Sequence, residues 1–261
     1  MYDYHTHTSF SEDSNTPMKE MVEAARRIGI REMAITDHYD PDYPISFGID
    51  LPQYQKALNK TKEEYQGKIK ILKGIEIGIQ LGETLERCRE AANSFDYDFI
   101  IGSFHCAEGY EICDPEFFQR RSAEDSYIAY YTTVQDGVLK YKDYDVLGHF
   151  NVIDRYTDRI PDYPVYWDLV EEILKTVIAD GKGLEINTSS FRYGMGERTT
   201  PAKEILQRFR ELGGEIVTIG SDAHRPRDVG YGFDTAVEMI KSAGLRYLAT
   251  FDQRISSFVK L

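Results

Sequence analysis

Short apolar runs alternate with longer amphipathic segments over most of the 261 residues, and no other feature of the chain restricts its fold so far. Residues 2–5, 32–36, 69–77, 99–102, 145–147, 183–186 and 216–219 read as strands, with 247–250 as an eighth. Helical segments at 18–28, 52–65, 83–92, 115–141, 167–180, 201–212 and 229–243 separate them. In the first, Met18, Met21, Val22, Ala25 and Ile28 recur at helical spacing, Pro17 suits an opening turn and Gly29 follows the end. Regular strand–helix alternation requires crossover connections, and hence a parallel sheet with helices outside it. Seven or eight such units in this length fit a closed α/β barrel better than an open doubly wound sheet. The stretch from 114 to 144 reads as one long helix or a helical pair. No repeat, low-complexity tract or linker interrupts the chain, so residues 1–261 are expected to form a single domain.

All six histidines fall at or just after the C-terminal end of an expected strand, the rim on which barrel sites are built. His5 and His7 follow the first strand, His38 the second, His105 the fourth, His149 the fifth and His224 the seventh. On an extended segment His5 and His7 project from one face and can grip one ion. Asp222-Ala223-His224 repeats that spacing, and Thr36-Asp37-His38 ends a strand in the same manner. Taken singly, a His-x-His is often surface polarity and an Asp-His often a turn. Their common rim makes them a candidate site.

Glu76 lies inside the run Ile71-Leu72-Lys73-Gly74-Ile75-Glu76-Ile77. An ionised carboxylate there is costly unless paired or bound to metal, so it is either half of a buried ion pair with an arginine or a bridge between two cations. Asp13, in Ser11-Glu12-Asp13-Ser14, is either a helix cap or a further ligand. Six imidazoles and three carboxylates exceed what one tetrahedral ion uses and suit two or three divalent ions such as zinc, manganese or iron. The cysteines are not needed: Cys106 follows His105 and is expected to point away from it as a small buried residue.

Lys and Arg total 31 against 44 Asp and Glu, a net charge of −13. No stretch is both basic and aromatic, which argues against a nucleic-acid partner. No apolar run approaches the roughly 18 residues of a membrane span. The opening Met1-Tyr2-Asp3-Tyr4-His5 has neither a basic leader nor an apolar run, and three cysteines are too few and too irregular for a disulfide framework. A cytoplasmic protein without a membrane partner is expected.

The ordered set His5-Thr6-His7-Thr8, Thr36-Asp37-His38, Gly74-Ile75-Glu76, Ser103-Phe104-His105, Gly148-His149 and Gly220-Ser221-Asp222-Ala223-His224 resembles the polymerase and histidinol phosphatase (PHP) family over nearly the whole chain. The resemblance implies a distorted (β/α)7 barrel with a trinuclear metal site at its strand ends, which leaves the eighth strand as an edge or a terminal addition. By position, His5, His7, Glu76 and Asp222 resemble the ligands of the first metal. Glu76, His105 and His149 resemble those of the second, and Asp13, His38 and His224 those of the third. Many members carry histidine where this chain has Asp13. The Asp-Tyr-His-Thr-His-Thr opening, the Ser-Glu-Asp-Ser segment and the absence of polymerase context resemble stand-alone histidinol phosphatases, implying hydrolysis of L-histidinol phosphate.

For a phosphomonoester, a hydroxide bridging the first two metals is the expected nucleophile, and Asp222 or His224 the group that steers a proton to the leaving oxygen. Forked N–H donors suit the phosphoryl oxygens, and Arg159, Arg192 and Arg225 lie on suitable loops, with Arg155 and Arg198 behind them. Ser189 and Ser190 add hydroxyl donors. Phe10, Asp40, Asp42, Tyr43 and Glu108 are candidates to receive the amine and imidazole of the substrate. The competing functions are a related phosphoesterase acting on phosphotyrosine or a nucleotide, and a non-catalytic metal-binding barrel.

Overall fold

In the computed structural model, which describes residues 1–41, 49–196 and 198–261, the expected runs form short strands. In chain order they are β1 (Tyr2–Asp3), β2 (Glu32–Ile35), β3 (His38–Tyr39), β4 (Lys70–Gly78), β5 (Phe99–Ser103), β6 (Cys106–Ala107) and β7 (Tyr110–Glu111). They continue as β8 (Val146–Leu147), β9 (Gly183–Asn187), β10 (Val217–Gly220), β11 (Tyr247–Asp252) and β12 (Ile255–Lys260). The helices are α1 (Met18–Arg27), α2 (Leu51–Glu64), α3 (Thr84–Asn93), α4 (Pro115–Gln119), α5 (Ala123–Lys140), α6 (Trp167–Ala179), α7 (Lys203–Glu211) and α8 (Phe233–Ser242). Seven strands pair in parallel in the order β1-β2-β4-β5-β8-β9-β10. The first and last meet where Tyr4 N–H donates to the Ile219 carbonyl at 2.9 Å and Asp222 N–H to the His5 carbonyl at 2.8 Å. The sheet therefore curls into a nearly closed seven-stranded α/β barrel, the distorted (β/α)7 architecture expected from the sequence.

The two faces of each strand explain what the barrel encloses. On β4, Ile71, Ile75 and Ile77 pack outward in the main core with the helices, whereas Leu72 joins a small interior cluster with Tyr4, Phe99, Ile101, Val146 and Phe251. Side chains alternate with period two, so Gly74 and Glu76 share the inward face of Leu72, and Glu76 reaches the upper end of the barrel. On β9, Leu184 and Ile186 pack outward and Glu185 is turned in. Gly220 of β10 has no room for a side chain, because a Cβ there would meet Glu185 Oε1 and His5 Cβ.

The eighth run does not become a stave. It is β11, which pairs antiparallel with β12 as a separate hairpin, because β1 and β10 already satisfy each other across the seam. Phe251 of this hairpin packs at a tilt against Phe99 (centroids 4.9 Å apart) and lies beside Tyr4 (6.1 Å). Arg254 donates its backbone N–H to the Asp98 carbonyl at 2.9 Å and its Nε to both Asp145 carboxylate oxygens at 3.1 Å. These contacts lie at the starts of β5 and β8, so the hairpin closes the barrel end opposite the histidines. The 114–144 stretch is the helical pair, α4 and α5, broken where Ser122 caps α5 by accepting the Asp125 N–H at 3.0 Å. Tyr127 and Tyr130 of α5 donate their hydroxyls to Asp154 (2.7 Å) and to the Phe150 carbonyl (3.0 Å), tying that helix to the loop beyond His149.

Tyr54 of α2 does similar service below the rim. Its buried hydroxyl accepts the Asp37 N–H at 3.1 Å and donates toward the Gly74 and Ile35 carbonyls at 2.8 and 3.0 Å. Tyr54→Phe removes that hydroxyl and leaves buried backbone groups unsatisfied, so urea unfolding should show a loss of about 1–3 kcal/mol.

Candidate metal centre

The six histidines converge because the strands that carry them end on one rim. Parallel pairing of β3 with β4 sets His38 opposite Glu76. His149 and Asp222 adopt left-handed backbone conformations, with φ of 22° and 52°, which are unfavourable for residues other than glycine. Strain of this kind is held where surrounding structure over-determines it, and both side chains are turned into the cluster. Ser14 and Thr16 donate their hydroxyls to the His224 carbonyl at 2.9 and 3.0 Å, drawing the loop of Asp13 against the segment after β10.

Glu76 is fully buried at the centre. Its Oε2 lies 2.8 Å from His38 Nδ1, 3.2 Å from His5 Nε2 and 3.6 Å from His7 Nε2, while Oε1 lies 2.9 Å from His149 Nε2 and 3.4 Å from His105 Nε2. Asp222 Oδ1 is 3.3 Å from His7 Nε2 and 3.9 Å from His5 Nε2. Asp13 Oδ2 is 2.9 Å from His224 Nε2 and 3.7 Å from His38 Nε2. No arginine pairs with Glu76 among the described residues, so the ion pair considered for it is absent there.

The donor atoms fit divalent cations. His5 Nε2, His7 Nε2 and Glu76 Oε2 are buried and make no hydrogen bond, an arrangement that is costly unless a cation serves all three. Three groups hold their donor atoms within 4.8 Å of one another: His5, His7 and Asp222; His7, His38 and His224; and His38, Glu76 and His105. All offer nitrogen or oxygen, the donor set of zinc, manganese or iron.

The outer atoms of the rings are anchored. His5 Nδ1 meets Glu185 Oε1 at 2.6 Å, His105 Nδ1 meets Asp40 Oδ1 at 2.8 Å, and His224 Nδ1 meets the Asp222 carbonyl at 3.0 Å. Bonds of this kind leave the inner nitrogen as the donor to metal. Glu185 also accepts the His149 N–H at 2.8 Å. It was not among the residues singled out from the sequence, although Gly183-Leu184-Glu185-Ile186 carries the same signal as Glu76, an acid within an apolar run.

Burial alone would raise the Glu76 and Asp222 carboxyls. Nearby imidazoles, His5 foremost, outweigh it and hold both well below the usual carboxylate range. They are anions throughout neutral pH, the state in which carboxylates bind cations. Burial opposes charge on His5, but Glu185, Glu76 and Asp222 raise its pKa well above the ordinary histidine value.

Above this floor opens a cavity of about 180 Å³ lined in part by Asp13, His38, His105, His149, Arg155, Asp222 and His224. A larger groove of about 500 Å³ at Arg210, Arg246, Tyr247 and Phe258 has no histidine in its lining. Arg155 stacks on Tyr193 (4.2 Å to the ring centroid) and donates to Ser189 Oγ at 2.6 Å. Ser189 Oγ lies 3.0 Å from Asp222 Oδ2. The other phosphate-binding candidates do not line this cavity. Arg159 is exposed and paired with Glu124 at 2.7 Å, and Arg225 is exposed. Arg192 donates to the Ser221 and Asp222 carbonyls at 2.9 Å each, and Ser190 is directed to the Asn187 carbonyl. Arg198 pairs with Asp154. Of the residues considered for the amine and imidazole, Asp40 holds His105, Phe10 packs on Tyr54 and Glu108 pairs with Arg121, while Asp42 and Tyr43 lie outside the described residues.

Glu185→Gln keeps the shape of the side chain but removes the charge that orients His5 and receives His149. Zinc affinity measured by chelator competition should fall about 10- to 100-fold with the fold retained.

Residues 3–189 match the PHP domain. The chain is 33% identical over 255 residues to the histidinol-phosphatase of Lactococcus lactis, covering 95% of this chain and 93% of that protein. It is 29% identical to a probable histidinol-phosphatase of Clostridium acetobutylicum, with 99% of each covered. A crystal structure of the Lactococcus lactis histidinol phosphate phosphatase, complexed with zinc, L-histidinol and phosphate, superimposes with a TM-score of 0.90 at 31% identity over 98% of both chains. With the family match spanning most of the chain, from Asp3 to Ser189, the protein belongs to the PHP domain family.

Proposed function

We propose that the protein is a metal-dependent phosphomonoesterase that hydrolyses L-histidinol phosphate to L-histidinol and phosphate, a step of histidine biosynthesis. The observation that carries this reading is the convergence of nitrogen and oxygen donors on buried Glu76 beneath a cavity that also holds Arg155. The near-full-length similarity to a phosphatase solved with zinc, L-histidinol and phosphate supports it.

We assign His5, His7, Glu76 and Asp222 to a first divalent ion, Glu76, His105 and His149 to a second, and Asp13, His38 and His224 to a third. Such ions, when bound, lower the pKa of water toward neutrality and neutralise charge on the phosphoryl oxygens. Glu76, through its two oxygens, links the donor groups on either side of it. Arg155 carries its charge into the cavity on a guanidinium fixed by Tyr193 and Ser189, with its Nε buried and without a hydrogen bond. That arrangement presents forked N–H donors to a phosphoryl group. The sequence favoured Arg159 and Arg192 for this task. Here Arg192 instead braces the backbone of Ser221 and Asp222, and Ser189 acts by holding Arg155. Asp222 or His224 would take up the proton that an attacking water gives up and pass it to the leaving alkoxide. The net charge of −13 is no obstacle to an anionic substrate, because the cations dominate the local field.

No helix among the described residues is long and apolar enough to cross a membrane. None of the three cysteines is in a disulfide, which supports a cytoplasmic location.

A panel of phosphate esters tests the substrate. Histidinol phosphate should be turned over best, and a tenfold preference for a phosphotyrosine peptide or a nucleotide would overturn the assignment. Removing metal with a chelator should abolish activity, and adding zinc or manganese should restore it. Glu76→Ala should lose all measurable turnover together with bound metal. Wild-type turnover with unchanged metal content in that variant refutes the shared-ligand role. Arg155→Ala should mainly raise KM, by about 10- to 100-fold if the lost charge-assisted bonds are worth about 1.5–3 kcal/mol.

A further inference from the structure

His7 differs from the other anchored rings of the cluster in what holds its outer nitrogen. His5 and His105 meet carboxylates and His224 a backbone carbonyl, each able only to accept. His7 Nδ1 instead meets a hydroxyl, Ser11 Oγ, at 3.1 Å. A hydroxyl donates or accepts, so the contact alone does not say which nitrogen of His7 bears the proton.

The surroundings of Ser11 decide it. Ser11, His7 and Asp37 are all buried. Ser11 Oγ lies 3.1 Å from the backbone N–H of His38, which can only donate, so one lone pair of the hydroxyl is committed there. The same oxygen lies 2.7 Å from Asp37 Oδ1. Asp37 already accepts from the Thr8 N–H at 2.6 Å and the Thr8 hydroxyl at 2.8 Å, the behaviour of a carboxylate surrounded by donors. Its Oδ1 is fixed as an acceptor by the Thr8 N–H, which can only donate, and the bond from Ser11 to that oxygen is the shortest that Ser11 makes. The single proton of Ser11 therefore goes to Asp37. What faces His7 is the remaining lone pair, which is satisfied only if Nδ1 carries hydrogen. The opposite tautomer would set an Nε2–H among the donor atoms, 3.3 Å from Asp222 Oδ1 and 3.6 Å from Glu76 Oε2.

Stacking fixes the rest of the ring. His7 lies between His38 and His224, with centroids 4.2 and 4.1 Å away and interplanar angles of 27° and 16°. It cannot swing out without opening both stacks.

We propose that Ser11 is a positioning residue for the metal centre: its hydroxyl, turned by Asp37, keeps the proton of His7 on Nδ1 and so presents the Nε2 lone pair to the cation. The inference rests on the metal-centre reading above and adds that a neutral hydroxyl, through Asp37, sets the tautomer of a buried ligand. It also gives the loop after β1 and the end of β2 one shared anchor, since Ser11 binds His7, Asp37 and His38 together.

Nitrogen-15 NMR of the full-length, metal-stripped protein reads the tautomer, and chelator competition with zinc reads affinity. The wild type should show His7 as the Nδ1–H form. Ser11→Ala should move His7 toward the Nε2–H form and weaken zinc binding about 10- to 100-fold, whereas Ser11→Thr, which keeps the hydroxyl, should preserve both. An unchanged tautomer or an unchanged zinc affinity in a folded Ser11→Ala protein overturns the proposal. If Ser11→Ala does not fold, Asp37→Leu serves instead. Leucine offers Ser11 no acceptor and leaves its proton free to turn toward His7, so a retained Nδ1–H form there also overturns it. A wild type that shows the Nδ1–H form but binds no zinc overturns the metal-centre reading and leaves the Ser11–His7 bond standing.

Discussion

A fully buried carboxylate surrounded by imidazoles is the constraint around which this structure is arranged. Glu76 is placed by β4, a strand covered on both sides, and its two oxygens face rings delivered from four other strand ends. Leaving such an anion in an apolar barrel without compensation is prohibitively costly. The compensating groups are histidines, which supply positive charge when protonated and lone pairs when neutral. A cluster of this composition is suited to capturing divalent cations, with protons released as they bind.

The barrel makes that arrangement possible by separating its ends. At the starts of the strands, Tyr4, Phe99 and Phe251 fill the interior and the C-terminal hairpin closes it, with Arg254 held by Asp145 and the Asp98 carbonyl. Along the strands, inward positions change from apolar to polar within two to four residues, as from Leu72 to Glu76 or from Ile101 to Ser103. Stability and chemistry thus occupy opposite ends of the same strands, the usual division in parallel barrels. Small residues mark the transition: Gly148 and Gly220 sit where a Cβ would strike Ser103 and Glu185 respectively.

Around the histidine cluster lies a ring of supporting groups that give several of its imidazoles a defined direction. Glu185, Asp40 and the Asp222 carbonyl do this for His5, His105 and His224, and Ser103 donates to Glu76 at 2.6 Å. Arg155 joins the same network from the cavity wall, because Ser189 connects it to Asp222.

The sequence by itself determined the staves, their parallel pairing and the rim on which the histidines meet, because hydrophobic period and strand-end histidines are local signals. It also identified Glu76, since a lone acid in an apolar run stands out without knowledge of its partners. Only the tertiary structure decided which of several arginines enters the cavity. Arg155 and Arg159 lie four residues apart on one loop, and the stacking on Tyr193 that brings Arg155 inward comes from a different segment. The eighth run reads as a strand, and because β1 and β10 bond each other it forms a separate hairpin, the terminal addition that the family resemblance implied. The contacts of Glu185, Asp40 and Ser11, with partners 180, 65 and 4 residues away, are set by the geometry of the fold and not by spacing along the chain.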